Sequence, residues 1–493
     1  MMGIRALLIA LLVALLILVF LRQLWSRRHY PPGPLFLPII GGMWELGIKL
    51  HEDTFIKIVK KYGNICCVWL GHQPMICVSG LQAVKEALIT HKELSERPLT
   101  PFFKIFGREM GLLASNGHTW KQQRRFALVT LRKLGLGKKG MEHQIQEEAQ
   151  QLVESFARAK GQPLDPSLPI TNAVSNVICA VTFGHRFSLE DEKFQKMIEA
   201  IDVVLKFIGT ISHVLYEMFP WIMNHLPGPH KKTFSAHELV LSHAREEIEK
   251  HKEQHSFHEP RDYIDFYLLQ MEKSRNDPNS TYDEENLAQC IHDLLFTGTE
   301  TTAASLKWAL LLLTNHPDIQ DKVYKEIEDV FGSSRSICYQ DIKELPYTNA
   351  VIHEMQRSKY ILLFGGARQC TKDVKLNGYL IPKGAYILPN LRSVLFDPEL
   401  WKTPEEFNPN HFLDKDGNFV DREEFLVFST GARVCLAEQL ARIEVFIFLI
   451  KLLRAFRFQL PEGVKKLSQD PVMRFTFQPP PYKICAVPHS SSS

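Results

Sequence analysis

Between residues 6 and 21 the chain has no polar position: ALLIALLVALLILVFL. A bilayer core takes about 20 residues of helix to cross, and Leu24 and Trp25 extend the apolar character past Arg22. Residues 6–25 therefore predict a transmembrane helix, with Trp25 where interfacial aromatics sit. Beyond it the apolar positions recur with helical period over 141–157, 234–253, 284–315, 319–330 and 436–454. Short β-like runs fall at 65–70, 74–78, 376–381 and 385–389. Pro31-Pro-Gly-Pro34 is stiff and cannot continue a helix, so it ends the anchor. Passages rich in Pro, Asp and Gly at 258–280 and 402–420 read as surface connections within one domain, because helical pattern resumes on both sides. The expected organisation is an anchor with a basic stop (1–28), a Pro-rich hinge (29–36), one large mainly α domain (37–489) and a serine tail (490–493).

Arg22, Arg27 and Arg28 outweigh Arg5 and the free amine, so the positive-inside rule keeps the remaining chain cytosolic. No small-x-small cleavage site precedes Arg27-Arg28, which disfavours a cleaved signal peptide. A net charge of +3 with no Arg/Lys tract gives no reason to expect nucleic acid. Nine scattered cysteines without CxxC pairs argue against a disulfide framework or a zinc site and for a reducing compartment. Eight of them read as small core residues.

The ninth, Cys435, sits in Phe428-Ser-Thr-Gly-Ala-Arg-Val-Cys435-Leu-Ala-Glu, between a Gly/Arg loop and an apolar helix. A helix N-terminus and a nearby guanidinium both favour thiolate, so Cys435 reads as a nucleophile or a metal ligand. Thr281-Tyr-Asp-Glu284 predicts a capping box opening a helix that runs to Asn315. The middle of that helix, Phe296-Thr-Gly-Thr-Glu-Thr-Thr302, is poor in helix formers. A widened turn there would free Glu300 or Thr301 to bond water or a ligand, whereas the plainer reading is a polar patch on an ordinary helix. Glu354-x-x-Arg357 shares one helix face, and Trp120-x-x-x-Arg124 sets an indole donor one turn from a guanidinium, as a carboxylate-bearing ligand would want. Each of these motifs alone is common.

Taken together and in this order, with Phe407-Asn-Pro-Asn-His411-Phe412, they resemble the cytochrome P450 superfamily, most nearly its microsomal family-2 enzymes of vertebrates. The resemblance spans essentially the full chain. It implies the P450 fold, with haem b between the long central helix and the helix after the Cys loop, small sheets at one side, and an N-terminal transmembrane helix. In the haem-binding loop it implies Phe428, Gly431, Arg433 and Cys435, with the Cys435 thiolate as iron ligand, which pushes electron density toward O–O cleavage. Arg97, Trp120, Arg124, Arg368 and Arg433 match positions that reach the haem propionates. Glu354, Arg357 and His411 resemble the structural lock under the haem, and Glu300 with Thr301 the acid–alcohol pair that relays protons. The chain departs from the pattern at Ala437 and Thr297, where glycine and alanine are usual, and over Ile361–Ala367, which replaces a proline-containing stretch.

The implied activity is monooxygenation: one atom of O2 inserted into a lipophilic substrate such as a fatty acid (arachidonic acid among them), a steroid or a xenobiotic. The segments that wall the pocket in similar enzymes are apolar here: Phe102, Phe103, Phe106, Leu112, Leu113, Phe207, Phe296, Thr297, Ile361, Leu362, Phe364, Phe475 and Phe477. Arg474 either pairs with a fatty-acid carboxylate or is simply solvated. No dinucleotide fingerprint follows a strand, so electrons come from outside. Lys121, Arg125, Arg132, Lys138, Lys139 and Arg442 suggest a basic face for NADPH–cytochrome P450 reductase, with cytochrome b5 as a second partner. The implied location is the endoplasmic reticulum membrane, with the catalytic domain on its cytosolic face. Two rivals stand beside this reading: a haem-thiolate isomerase or dehydratase of lipid peroxides, and a membrane-anchored haem-binding protein without turnover. The Glu300–Thr301 pair argues against both.

Overall fold

The computed structural model describes residues 2–27, 30–37, 40–46, 52–135, 139–254, 259–332 and 335–489. The basic stop at Arg28, Lys138 of the expected basic face and the serine tail 490–493 lie outside the described residues.

Helix α1 (Met2–Arg27) covers the predicted anchor, and Leu7, Leu11, Leu15, Leu18 and Leu21 on it are exposed. Among the described residues no helix is long and apolar enough to cross a membrane. The remaining helices used below are α2 (Pro101–Phe106), α3 (Gly117–Lys133), α4 (Lys139–Ala157), α5 (Ser167–Phe183), α6 (Pro229–Gln254), α7 (Glu284–Asn315), α8 (Pro317–Phe331), α9 (Pro346–Ser358) and α10 (Glu438–Ala455).

Four small sheets accompany them. Strands β1 (Ile65–Leu70), β2 (Gln73–Ser79), β7 (Tyr386–Asn390) and β4 (Arg368–Gln369) pair in the order β1-β2-β7-β4, with β2 and β7 parallel. Strand β11 (Ile484–Pro488) lies between β3 (Pro163–Leu164) and β8 (Phe456–Gln459). Two hairpin ladders complete the set: β5 (Val374–Leu376) with β6 (Tyr379–Ile381), and β9 (Val472–Met473) with β10 (Phe477–Gln478).

The main core forms around α7. This helix is 32 residues long, roughly 48 Å, and most of its side chains are buried. Helix α5 makes the largest helix–helix contact with it, and α10 and α9 close on it as well. Its N-cap is Asp283, whose side chain accepts from Asn286 N at 2.8 Å. That corrects the expected Thr281 box: the Thr281 hydroxyl instead donates to Gln122 Oε1 at 2.9 Å. Asp at the cap and Glu284 and Glu285 in the first turn suit the positive helix end.

Four other expectations are corrected. The run 376–381 is two strands turned at Asn377 and Gly378, both at positive φ (45° and 87°), the geometry an Asn-Gly hairpin turn requires. The connection at 258–280 contains a helix, Tyr263–Lys273, capped by Asp262. The connection at 402–420 holds His411 and Phe412 buried against Trp401, so it is core as well as surface. Of the eight cysteines read as core, Cys338 is exposed and Cys485 half-buried, while the other six are buried.

Candidate active site

The loop before α10 is built on two close approaches. Gly431 has φ +76°, and a Cβ there would sit 2.0 Å from Leu88 O, so only glycine fits. Cys435 N donates to Phe428 O at 3.0 Å and closes the loop. The Cys435 side chain is exposed, yet burial pushes its thiol up to about 11, so the surface it presents faces a space walled by protein. The Ala437 N–H, Arg124 and Arg442 pull the other way and lose. Desolvation of the anion outweighs the helix end and the guanidinium as long as no cation faces the sulfur.

Four arginines converge above the loop. Arg433 donates to Ser95 O at 3.0 Å, Ser115 O at 2.7 Å and Asn116 Oδ1 at 2.9 Å, and its guanidinium lies 3.8 Å over the Trp120 ring. Arg97 donates to Ala367 O at 2.8 Å, Arg368 to Gly366 O and Arg124 to Val434 O at 2.6 Å. None of these partners is a carboxylate. Burial and the mutual repulsion of the cluster lower Arg97 to about 10 and Arg433 to about 8, and hold Arg368 well below the ordinary guanidinium range. Burial also lowers Arg124. Three buried nitrogens, Arg97 Nε, Arg368 Nη2 and Arg433 Nη1, have no hydrogen-bond partner. A buried cationic cluster with unspent donors calls for an anionic ligand.

On the other side of the loop Glu354 and Arg357 are fully buried and bidentate, at 2.7 and 2.8 Å. His411 Nδ1 lies 3.1 Å from Glu354 Oε2, and Asn408 N donates to Glu354 Oε1 at 2.9 Å. Arg357 spends its other donors on Leu395 O, Pro404 O and Glu406 O. The predicted trio is thus one network tying α9 to the meander before the Cys loop.

Helix α7 runs unbroken through residues 296–302, so the widened turn is absent. The Thr301 hydroxyl donates to Thr297 O at 2.8 Å, and Thr297 in turn to Asp293 O at 2.7 Å. Glu300 is not brought together with Thr301. Its Oε1 accepts from Thr476 Oγ1 at 2.7 Å and Gln478 Nε2 at 2.8 Å, around β10.

The pocket candidates divide. Phe102, Phe106, Phe207 and Phe296 are buried in the main core, with Phe103, Leu112, Leu113, Ile361 and Phe475 packed on it. Phe106 and Phe475 both meet the Phe296 ring, at 5.2 and 5.1 Å. Leu362 packs instead on the core around β2 and β7, and Phe364 on Phe55, ring centroids 4.6 Å apart. Phe477 is held by its backbone, N to Ile361 O at 2.7 Å and O to Trp308 Nε1 at 2.9 Å. Arg474 is paired with Asp202 at 2.9 Å. Lys121, Arg125 and Arg132 are exposed on α3, and the Lys139 side chain lies outside the described residues. Arg442 is spent on Glu438 and on His353 Nε2 at 2.9 Å. Ser95, Ser115, Asn116, Thr476 and Gln478 carried no local signal in the sequence; each acts on a partner far along the chain.

The Cytochrome P450 family model matches residues 31–486. The chain belongs to the cytochrome P450 family. Among curated relatives, cytochrome P450 2J5 of Mus musculus is 44% identical over 486 residues, 97% of this chain and 96% of the relative. Cytochrome P450 2J2 of Homo sapiens is 43% identical over 98% of this chain and 96% of its own length. Cytochrome P450 2C29 of Mus musculus is 40% identical over 97% and 99%. This is a P450 of the vertebrate family-2 type, hence a monooxygenase oxidoreductase. The P450 family carries haem with a cysteine thiolate ligand and draws NADPH-derived electrons through a reductase. The residues fit that group: an otherwise un-neutralised arginine cluster suits its two carboxylates, and a thiol facing enclosed space suits its metal.

Proposed function

We propose that the chain hydroxylates or epoxidises lipophilic molecules, fatty acids such as arachidonic acid, steroids or xenobiotics among them, from the cytosolic face of the endoplasmic reticulum membrane. The observation that carries this reading is the arginine cluster: Arg97, Arg124, Arg368 and Arg433, buried or half-buried beside the Cys435 loop with donors unspent. These four and Trp120 would hold the haem propionates, and Cys435 would ligate the iron. Haem, when bound, supplies activation of O2; the chain's own residues do the rest. The Glu354–Arg357–His411 network keeps the Cys loop from moving. Glu300 and Thr301 hold protons at one side of the pocket; in this reading the Thr301 hydroxyl exchanges Thr297 O for water, while Thr476 and Gln478 hold Glu300 ready. The apolar residues around Phe296 exclude bulk water and select lipophilic substrates.

Electrons would arrive from NADPH–cytochrome P450 reductase, with cytochrome b5 as a second donor, on the face marked by Lys121, Arg125 and Arg132. Residues 1–28, helix α1 included, would anchor residues 37–489 through the hinge at 29–36, supported by the apolar run Ala6–Leu21. Reconstitution with the reductase tests the reading. NADPH-dependent O2 uptake stimulated by arachidonic acid, with oxygenated product, is the expected result. Rearrangement of a lipid hydroperoxide without NADPH would favour the isomerase instead.

A further inference from the structure

Arg442 does not stand with the exposed cations of α3; two side chains hold it beside the Cys435 loop. One turn back on α10, Glu438 Oε1 takes Nε and Nη2 of Arg442 at 3.0 and 2.9 Å. The remaining nitrogen, Nη1, reaches across to α9 and donates to His353 Nε2 at 2.9 Å. The guanidinium lies 4.9 Å over the ring of Phe428, the residue whose carbonyl accepts from Cys435 N. The two anchors differ in kind. The Glu438 side chain is 35% exposed, and such a half-wet pair holds a long side chain weakly. His353 is buried.

His353 has one tautomer open to it. Its Nδ1 lies 2.9 Å from Asn349 O, which only accepts, so that nitrogen carries the hydrogen. Nε2 is then a lone-pair acceptor, and a guanidinium, which only donates, is its complement. Burial, and after it Arg442, lower His353 to about 4, so at neutral pH the ring keeps that lone pair. The rings of Phe419, Phe425 and Phe412 surround the imidazole with centroids at 4.7, 4.8 and 5.5 Å, and fix where the acceptor points. Next along α9 comes Glu354, whose network already ties this helix to the meander before the Cys loop. The acceptor therefore sits on a rigid part of the molecule.

Holding Arg442 there bears on the sulfur. Arg442 is one of the groups that draw the Cys435 thiol toward its anion, against burial and against Glu438. A site that already carries an anion takes on a further negative charge more readily when a cation is kept beside it.

We propose that His353 is a positioning residue for the Cys435 ligand: its Nε2 holds Arg442 inward, and the cation so placed raises the reduction potential of the haem. This role rests on the haem-thiolate monooxygenase reading. The electron is the one that the reductase supplies; His353 and Arg442 only set how readily the site accepts it.

The midpoint potential of the purified holoenzyme, read from its haem spectrum in a redox titration, tests this. Two variants without the acceptor, His353→Phe and His353→Leu, should shift it to more negative values. Arg442→Met should shift it the same way and at least as far. Adding His353→Phe to Arg442→Met should change nothing further, because His353 acts only through Arg442. His353→Gln, which can turn a carbonyl oxygen toward Nη1, should recover part of the wild-type value. Melting temperatures are taken alongside, since a purely structural histidine would lower them and leave the potential where it was. A potential unmoved in either acceptor-free variant overturns the inference. So does a double variant that falls well below Arg442→Met alone. The CO-difference spectrum of the same preparations reports on the monooxygenase reading separately. A thiolate-type spectrum with an unmoved potential removes the role of His353 and leaves that reading intact, whereas a wild type without such a spectrum removes both.

Discussion

Glu354 shows what a single buried charge can hold. Its two oxygens take two bonds from Arg357, one from His411 and one from Asn408 N, at a position with no solvent exposure. Neutralising it leaves Arg357 buried without a counter-charge, and breaking such a pair costs about 3–5 kcal/mol. Glu354→Gln should therefore lose about that much in urea unfolding, whereas a loss under about 1 kcal/mol would mean that the backbone carbonyls around Arg357 suffice. This network was legible in the sequence because Glu354 and Arg357 lie three apart on a helix, and spacing alone sets them on one face. The direction of Glu300 was not. Its partners Thr476 and Gln478 lie 176 and 178 residues away, and only the folding of the β9–β10 hairpin against α7 brings them in. The thiol of Cys435 likewise follows its enclosure, which no local pattern records.

At the scale of elements, α7 was read with its bounds correct, 284–315, since the apolar period runs its whole length, although its cap is Asp283 and not Thr281. Helix α5 was missed for a physical reason. From Ala173 to Phe183 every residue is buried, so it has no polar face to give a period. The interface of α7 with α10 carries a titratable group of its own. Glu444 of α10 is buried, bonded by Thr302 next to Thr301, and burial raises its carboxyl to about 8. Its Oε1 has no partner. Between pH about 4.5, where an unfolded Glu titrates, and about 8 the folded chain holds a proton that the unfolded chain has lost. Folding then binds protons, so stability falls as pH rises through that window, by an amount of order 5 kcal/mol, and levels off above it. Glu444→Gln should remove that slope and be the more stable protein at pH 8. An unchanged pH profile in the variant would show that Glu444 titrates as it does in the unfolded chain.

For the molecule as a whole, the basic residues divide between a cluster buried or half-buried beside the Cys435 loop and a set exposed on α3. Lys121, Arg125 and Arg132 lie exposed along α3, the helix that also carries Trp120 and Arg124 inward. A reductase docking there would be steered by charge, so its association should weaken with salt. Reversing all three to glutamate should raise the KM for reductase roughly tenfold or more at low salt, with little change when peroxide replaces reductase. An unaltered KM would place the docking face elsewhere. Arg442 was expected on that face too, but it lies between Glu438, His353 and the ring of Phe428, a role that sequence distance hid.

The central claim is that Cys435 ligates haem within this arginine-lined site. The most direct measurement is the CO-difference spectrum of the dithionite-reduced membrane fraction, taken beside a Cys435→Ala variant. A red-shifted Soret band present in the wild type and absent from the variant is the predicted result. A band at the unshifted position, or one indifferent to Cys435, would contradict the account.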